Sequence, residues 1–466
     1  MVYTNQSQIF GDIIKTENDN IVIKYFKEFQ EQITDNLVDT IILGESEYLK
    51  KICYWIVYNA AIQFGVIPSS IHGLYEARGQ GLCGGFSVPA INLRTLTYDL
   101  ARAIFRVAKN LNAAAFIFEI AKSEIGYTDQ RPQEYSSVIM LAAIKENYKG
   151  PIFIQADHFQ VKASNFFNNK DAEISSLKNL IKEAIDACFY NIDIDSSTLV
   201  DLSKSDIPEQ QKLNYQICAH FTEFIRKIQP KDIQISIGGE IGEVGGKNST
   251  PEELHAFMNG YLAQIDGLKG ISKISIQTGT THGGVVLPDG SIAKVNIDFD
   301  TLKKLSEIAQ KEYKLAGAVQ HGASTLPNEA FNNFPKVGCA EIHLATQFQN
   351  IVYDYLPLQL KEKIYSWLHQ NFANEKKPNI TDDQFIYKVR KNALGPFKKE
   401  IYSLPREWKT KISSVLEEEF AFLFEQLNIK ETKTLVDKYI KPVVVKKDKD
   451  SFLKETTKLT DLEGAD

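Results

Sequence analysis

The strongest constraint on the fold is a rhythm that begins at Phe86. Short apolar runs recur from there, and helical stretches separate them. The runs are FSVPAIN, AAFIFE, PIFIQAD, YNIDID, IQISIGGE, KISIQT, LAGAVQ and AEIHLA. Between them lie segments such as TYDLARAIFRVAKNL and FDTLKKLSEIAQKEY, with apolar residues at helical spacing. Strand–helix alternation implies right-handed parallel crossovers. Eight such units match a closed (β/α)8 barrel, a TIM barrel, whose usual length is about 250 residues. An open doubly wound sheet is the competing arrangement.

The chain has 466 residues, so the barrel leaves room for extensions. Residues 1–83 read as an N-terminal helical extension, 84–352 as the barrel, 353–430 as a C-terminal helical extension, and 431–466 as a polar, disordered tail. A net charge of −6 offers no basic field for nucleic acid or an anionic membrane. Neither a signal peptide nor an apolar run of about 20 residues is evident. Five scattered cysteines without a CxxC pair suggest free thiols in a reducing cytoplasm.

In a barrel the C-terminal strand ends form the reactive face. Polar residues fall there strand after strand: Asn92, Glu119, Asp157 with His158, Asp195, Glu240, His282, His321 and His343. His158, His282 and His321 each follow an apolar run, with glycine or an acidic residue beside them. Three imidazoles leave a divalent ion with open positions, which suits catalysis better than structure. A single histidine after a strand is more often a hydrogen-bonded loop residue. Three, each at a strand end, favour ligation. His72, His220, His255 and His369 fall in helices or outer loops and read as structural. GGEIGEVGGKNSTPEEL fails as a P-loop, because Ile241 stands at the required first glycine. It reads instead as a mobile active-site loop with Glu240 at its base.

These segments resemble the class II, metal-dependent fructose-bisphosphate aldolase family over roughly residues 84–352. QADHF matches the family's Asp-His, GEIGEVGG its Glu-x-Gly segment, THGG its His-Gly, and HGAS its His-Gly-Gly-Ser. The resemblance implies Asp157 as the catalytic acid/base, and His158, His282, His321 and Glu240 as metal ligands. It implies substrate or phosphate contacts from Asn92, Gly283, Ser324, Thr346 and His343, with Asp195 and Glu119 behind the ligands. Zn2+ is the implied cofactor, although other divalent ions suit imidazoles too. The implied reaction cleaves or forms a C–C bond in a ketose (bis)phosphate such as fructose 1,6-bisphosphate through a metal-stabilised enediolate. A C4 epimerase using the same step, and a non-catalytic relative, stay open. The expected partner is a small sugar or sugar phosphate, and a homo-oligomer is expected.

Departures bear on the substrate. Gly238 replaces the first Glu of the family's Glu-x-Glu. The last strand carries His343 and Ala345 where the family has a substrate-binding Asn and Asp, and Glu341 where it has Lys. Glu119, Glu341 and His343 are therefore expected to change the charge of the phosphate site.

Overall fold

The computed structural model describes residues 1–18, 20–242, 247–279, 287, 297–454 and 462. Two short strands near the N-terminus, β1 (Ile14–Glu17) and β2 (Asn20–Ile23), form an antiparallel hairpin. A third, β3 (Val66–Ser69), precedes the barrel. The barrel strands are β4 (Val88–Asn92), β5 (Ile117–Ala121), β6 (Gly150–Gln160), β7 (Asn191–Asp195), β8 (Ser236–Glu240), β9 (Lys273–Ile276), β10 (Ala318–Gln320) and β11 (Glu341–Leu344). They pair in sequence order, β11 returns to β4, and the β6–β7 pairing completes the ring. All these pairings are parallel. The expected eight-stranded barrel is therefore present, with each of the eight apolar runs contributing one strand.

Packing accounts for the surrounding helices. Thr97–Asn110 follows β4 and buries Leu100, Ile104, Phe105 and Val107, an i, i+4, i+7 stripe facing the sheet. Phe299–Lys311, after β9, likewise buries Leu302, Leu305 and Ala309, while Asp298 caps its N-terminus by accepting from the Thr301 N–H.

The N-terminal extension differs from the purely helical reading. It contains β1, β2 and β3, and β3 joins the barrel sheet. β6 is 11 residues long. Its first half, Gly150–Phe153, pairs with β3, and only the part from Gln155 pairs with β7. The next helix, His72–Gly79, stoppers the lower mouth of the barrel. Arg78 on it is buried and donates to the carbonyls of Ala316 (2.8 Å), Cys339 (2.8 Å) and Phe86 at the lower strand ends. The Ala316 and Cys339 carbonyls also accept from Gln310 Nε2 and Ser87 Oγ, so buried backbone acceptors at this end are well satisfied.

The polar tail expected from residue 431 is packed as far as residue 454. Lys433–Tyr439 and Lys449–Leu453 are helical, and buried Phe452 lies 5.9 Å from the Tyr58 ring. The five cysteines carry free thiols. No helix among the described residues is long and apolar enough to cross a membrane.

Candidate active site

β6 presents Asp157 and His158 together, although neighbouring residues on a strand normally face opposite ways. The β6–β7 register slips between Ala156 and Phe159. His158 itself has φ of +38°, in the left-handed region. This bulge turns two consecutive side chains toward one cavity, a frequent use of bulges beside active sites. Both residues line a cavity of about 520 Å³ at the C-terminal mouth of the barrel.

His158 Nδ1 lies 3.2 Å from Asp195 Oδ2 at the end of β7 and 3.3 Å from Glu240 Oε2 at the end of β8. The His321 ring, just past β10, sits 4.2 Å from the His158 ring, and its Nε2 is 3.0 Å from Ser275 Oγ. Two donor groups converge here. Asp157, His158 and His321 each offer an atom within 4.8 Å of the others, as do His158, Asp195 and Glu240. Burial opposes charge on His158, but Asp157, Glu240 and Asp195 outweigh it and hold the imidazole well above its usual pKa. Buried imidazoles among carboxylates must share a cation, either a proton or a metal ion, so this donor set fits a divalent ion. His282 and Gly283, the remaining expected ligand and its neighbour, lie outside the described residues, as does the Glu243–Gly246 part of the expected loop.

Asp157 is held from two sides. Asn92 Nδ2 donates to its Oδ2 at 3.1 Å, and His343 Nδ1 is 3.1 Å from its Oδ1. Burial would raise its pKa, yet His158 and His343 hold it well below the carboxylate range. Asn92 also donates to Glu124 Oε2 at 2.8 Å, and Glu124 accepts from Arg94 Nε at 2.6 Å. Ser324 Oγ accepts the Thr346 N–H at 3.1 Å, which places Gly322, Ser324 and Thr346 on one wall of the cavity. Of the expected substrate residues, Asn92, Ser324, Thr346 and His343 all line this cavity.

The expectation for Glu119 and Glu341 needs correction. Both are fully buried inside the barrel, beneath the cavity, and away from the Ser324–Thr346 wall. They belong to an interior ionic layer. Lys273 Nζ, at the start of β9, is 2.9 Å from Asp193 Oδ2 and 2.8 Å from Gln155 Oε1, and also pairs with Glu341. Tyr75, on the stopper helix, donates to Glu341 from below. His343 closes the layer above, with Nε2 2.7 Å from Glu341 Oε1 and Nδ1 3.1 Å from Glu119 Oε1. Burial pushes the Glu119 carboxyl up to about 8, with the Asp157 charge adding to it. Glu341 is also desolvated, but Lys273 and His343 draw it down to about 2.

Gly238 has a reason in this layer. A Cβ there would collide with Asp193 Oδ1 and stand 3.0 Å from Lys273 Cε. The glycine makes room for the Asp193–Lys273 pair.

Sequence reading missed Lys273, Asp193, Gln155, Glu124 and Arg94. It also missed the upper wall of the cavity, which comes from the C-terminal extension: Glu375, Gln384, Tyr387, Lys388, Lys391 and Asn392. One signal was available. Charged residues of both signs interrupt apolar strands at Glu119, Asp193, Lys273 and Glu341, a pattern a barrel interior tolerates only when the charges pair.

Comparison with known proteins identifies the family. The family model for fructose-bisphosphate aldolase class-II matches residues 80–414. The chain belongs to that family. The match also runs past residue 352, into the C-terminal helices that the sequence resemblance left out. Among solved structures, the fructuronate-tagaturonate epimerase of Cohnella laeviribosi aligns at a TM-score of 0.54 with 12% identity, covering 75% of this chain and 83% of its own. A probable tagatose 6 phosphate kinase of Sinorhizobium meliloti aligns at 0.51 with 11% identity, covering 76% and 99%. The fructose-bisphosphate aldolase of Campylobacter jejuni reaches 0.46 with 18% identity, covering 79% and 96%. At these identities the first two structural likenesses speak to the fold alone.

Proposed function

We propose that this class II aldolase family member is a metal-dependent aldehyde-lyase that cleaves and forms a C–C bond in a ketose phosphate such as fructose 1,6-bisphosphate. The supporting observation is Asp157, kept ionised and oriented by Asn92 and His343 beside the paired imidazoles of His158 and His321. His158 and His321 would hold the ion, with His282 and Glu240 completing its ligands and Asp195 orienting His158. When bound, a divalent ion such as Zn2+ supplies a Lewis acid for the ketose carbonyl and an adjacent hydroxyl.

The chain's own residues do the rest. Asp157 takes the proton of the C4 hydroxyl. The C3–C4 bond breaks as that oxygen becomes the carbonyl of the departing aldehyde, and the electron pair stays with the ketone-bearing fragment. The proton taken by Asp157 is the one that C3 of the ketone-bearing fragment needs, and His343, with both ring nitrogens on carboxylates, orients Asp157 to return it. Ser324, Gly322 and the Thr346 helix end favour an anionic group on the substrate.

A second reading has its own support. The cavity is walled by helices from the same chain, and His343 and Ala345 replace the family's substrate-binding Asn and Asp on the last strand. Both features suit retention of the fragments and re-addition on the opposite face, which makes a C4 epimerase. The zinc-loaded protein, incubated with ketose phosphates and ketose acids, separates the two. Release of a triose supports the lyase. Interconversion of C4 epimers without free triose supports the epimerase. Inactivity toward every ketose with every divalent metal would remove both.

A further inference from the structure

The upper wall of the cavity is made by residues 373–394, and nothing in the reaction described above uses it. The segment comprises a turn at Ala373–Glu375, a helix at Asp382–Val389 and a turn at Arg390–Ala393. Its position over the barrel mouth is fixed at its C-terminal end. Tyr353 OH donates to the Arg390 carbonyl at 2.7 Å, and the Arg390 guanidinium lies 4.4 Å from the Tyr387 ring and also donates to Asn350. Farther along, the Gly395 N–H donates to the Tyr127 carbonyl at 2.9 Å.

Charge on this wall is mostly cationic. Lys391 Nζ and Arg94 Cζ lie 5.4 and 5.9 Å from the same Tyr127 ring, one from the wall and one from the rim after β4. Arg94 also reaches Gln349 at 3.1 Å. Lys388 lines the same cavity and stays half-exposed, 3.1 Å from Glu375. Among the described residues lining the cavity, Glu124 and Glu375 are the upper carboxylates, and each faces one of these cations. Imidazoles and Asp157 form the floor; lysines and an arginine form the upper wall. At about 520 Å³ the space is that of a small-molecule pocket.

We propose that residues 373–394 are a selectivity cap that binds the acidic end of the ketose, a phosphate or a carboxylate, through Lys391 and Lys388 together with Arg94. This deepens the C–C bond reading of the same site and rests on it for the position of the ketose carbonyl. Charge-assisted contacts of this kind discriminate strongly between charged and neutral ligands.

The test uses full-length, zinc-loaded Asp157→Asn protein, so that binding is measured without turnover. Calorimetry compares fructose 6-phosphate, tagaturonate and neutral fructose on that background and on the same protein carrying Lys388→Ala and Lys391→Ala. The cap predicts that the double change weakens the preferred acidic ligand by about tenfold or more, the scale of lost charged hydrogen bonds, while fructose is unaffected. Lys391→Arg, which keeps the charge, should retain most of the affinity. Preference for tagaturonate assigns the anion as a carboxylate, and preference for fructose 6-phosphate assigns it as a phosphate. Equal weakening of all three ligands, or none, overturns the cap. Thermal unfolding of each variant identifies a folding defect, and Lys391→Glu, which must weaken acidic ligands further, tests the charge independently. If wild-type protein turns over no ketose phosphate or ketose acid, fructose 1,6-bisphosphate included, while the binding difference persists, the reaction assignment fails and the cap stands.

Discussion

Replacing Lys273 with methionine tests the interior ionic layer most directly. The side chain keeps its reach but loses the ammonium group shared by Asp193, Glu341 and Gln155. Removing one partner of a buried ion pair costs about 3–5 kcal/mol, because the other charges stay buried without compensation. Unfolding entropy of about 2.1 cal/mol/K per residue, applied to 466 residues, gives roughly 1 kcal/mol per degree. The midpoint of cooperative thermal unfolding should therefore fall by about 3–5 °C. The pH dependence has a definite sign. In the wild type, burial opposes the Glu341 charge but Lys273 overcomes it, so the carboxyl is held at about 2. Its contribution is present above the unfolded pKa and is lost as pH falls toward 2. In the variant the orphaned carboxylates bind protons more tightly when folded, so they favour the folded state at low pH and that advantage is lost as pH rises. The gap between wild type and variant should narrow between pH 8 and pH 5, followed by circular dichroism on metal-free protein. Adding Glu341→Gln should recover part of the loss. An unchanged midpoint at pH 8, or a gap that widens on acidification, would refute the compensation argument.

Other predictions concern the cavity. His321→Ala should abolish metal binding by elemental analysis, and a full equivalent retained would remove His321 from the ligand set. Asp157→Asn should keep the metal but slow turnover by about 10²-fold or more; wild-type rates would end its assignment as the base. Metal affinity should fall as pH drops, since His158 and His321 must be neutral to ligate and neighbouring carboxylates favour the proton on His158. Equilibrium dialysis from pH 8 to pH 5.5 measures this, and a flat profile would contradict it. Gly238→Ala should destabilise the fold by about 1–3 kcal/mol through overpacking against Asp193, read by urea denaturation, and a neutral effect would mean the layer yields readily.

The barrel was legible because parallel strands buried on both faces read as continuous apolar runs. PIFIQAD and LAGAVQ could hardly be anything else. β3 was not legible: VIPS is four residues long, contains proline, and follows an 18-residue helix without a break in hydrophobicity. The strand-end residues were legible individually, since a polar group closing an apolar run marks the reactive face. Their partners were not. Lys273 and Glu341 are 68 positions apart, and only the closed ring brings them together. The upper wall was missed for the same reason. DDQFIYKVRKNA has the spacing of an ordinary surface helix, and local periodicity carries no information about which distant opening it covers.

The double pairing of β6 bears on how small a working version of this protein could be made. The family match begins at residue 80, an inviting place to start a shortened chain. Such a chain would leave Gly150–Phe153 with one open edge where β3 now lies. It would also strip Tyr75 from Glu341 and Arg78 from the carbonyls at the lower strand ends. The family boundary therefore falls just after a strand and a helix that pack into the barrel, and residues 66–79 belong to it as much as the strands they precede.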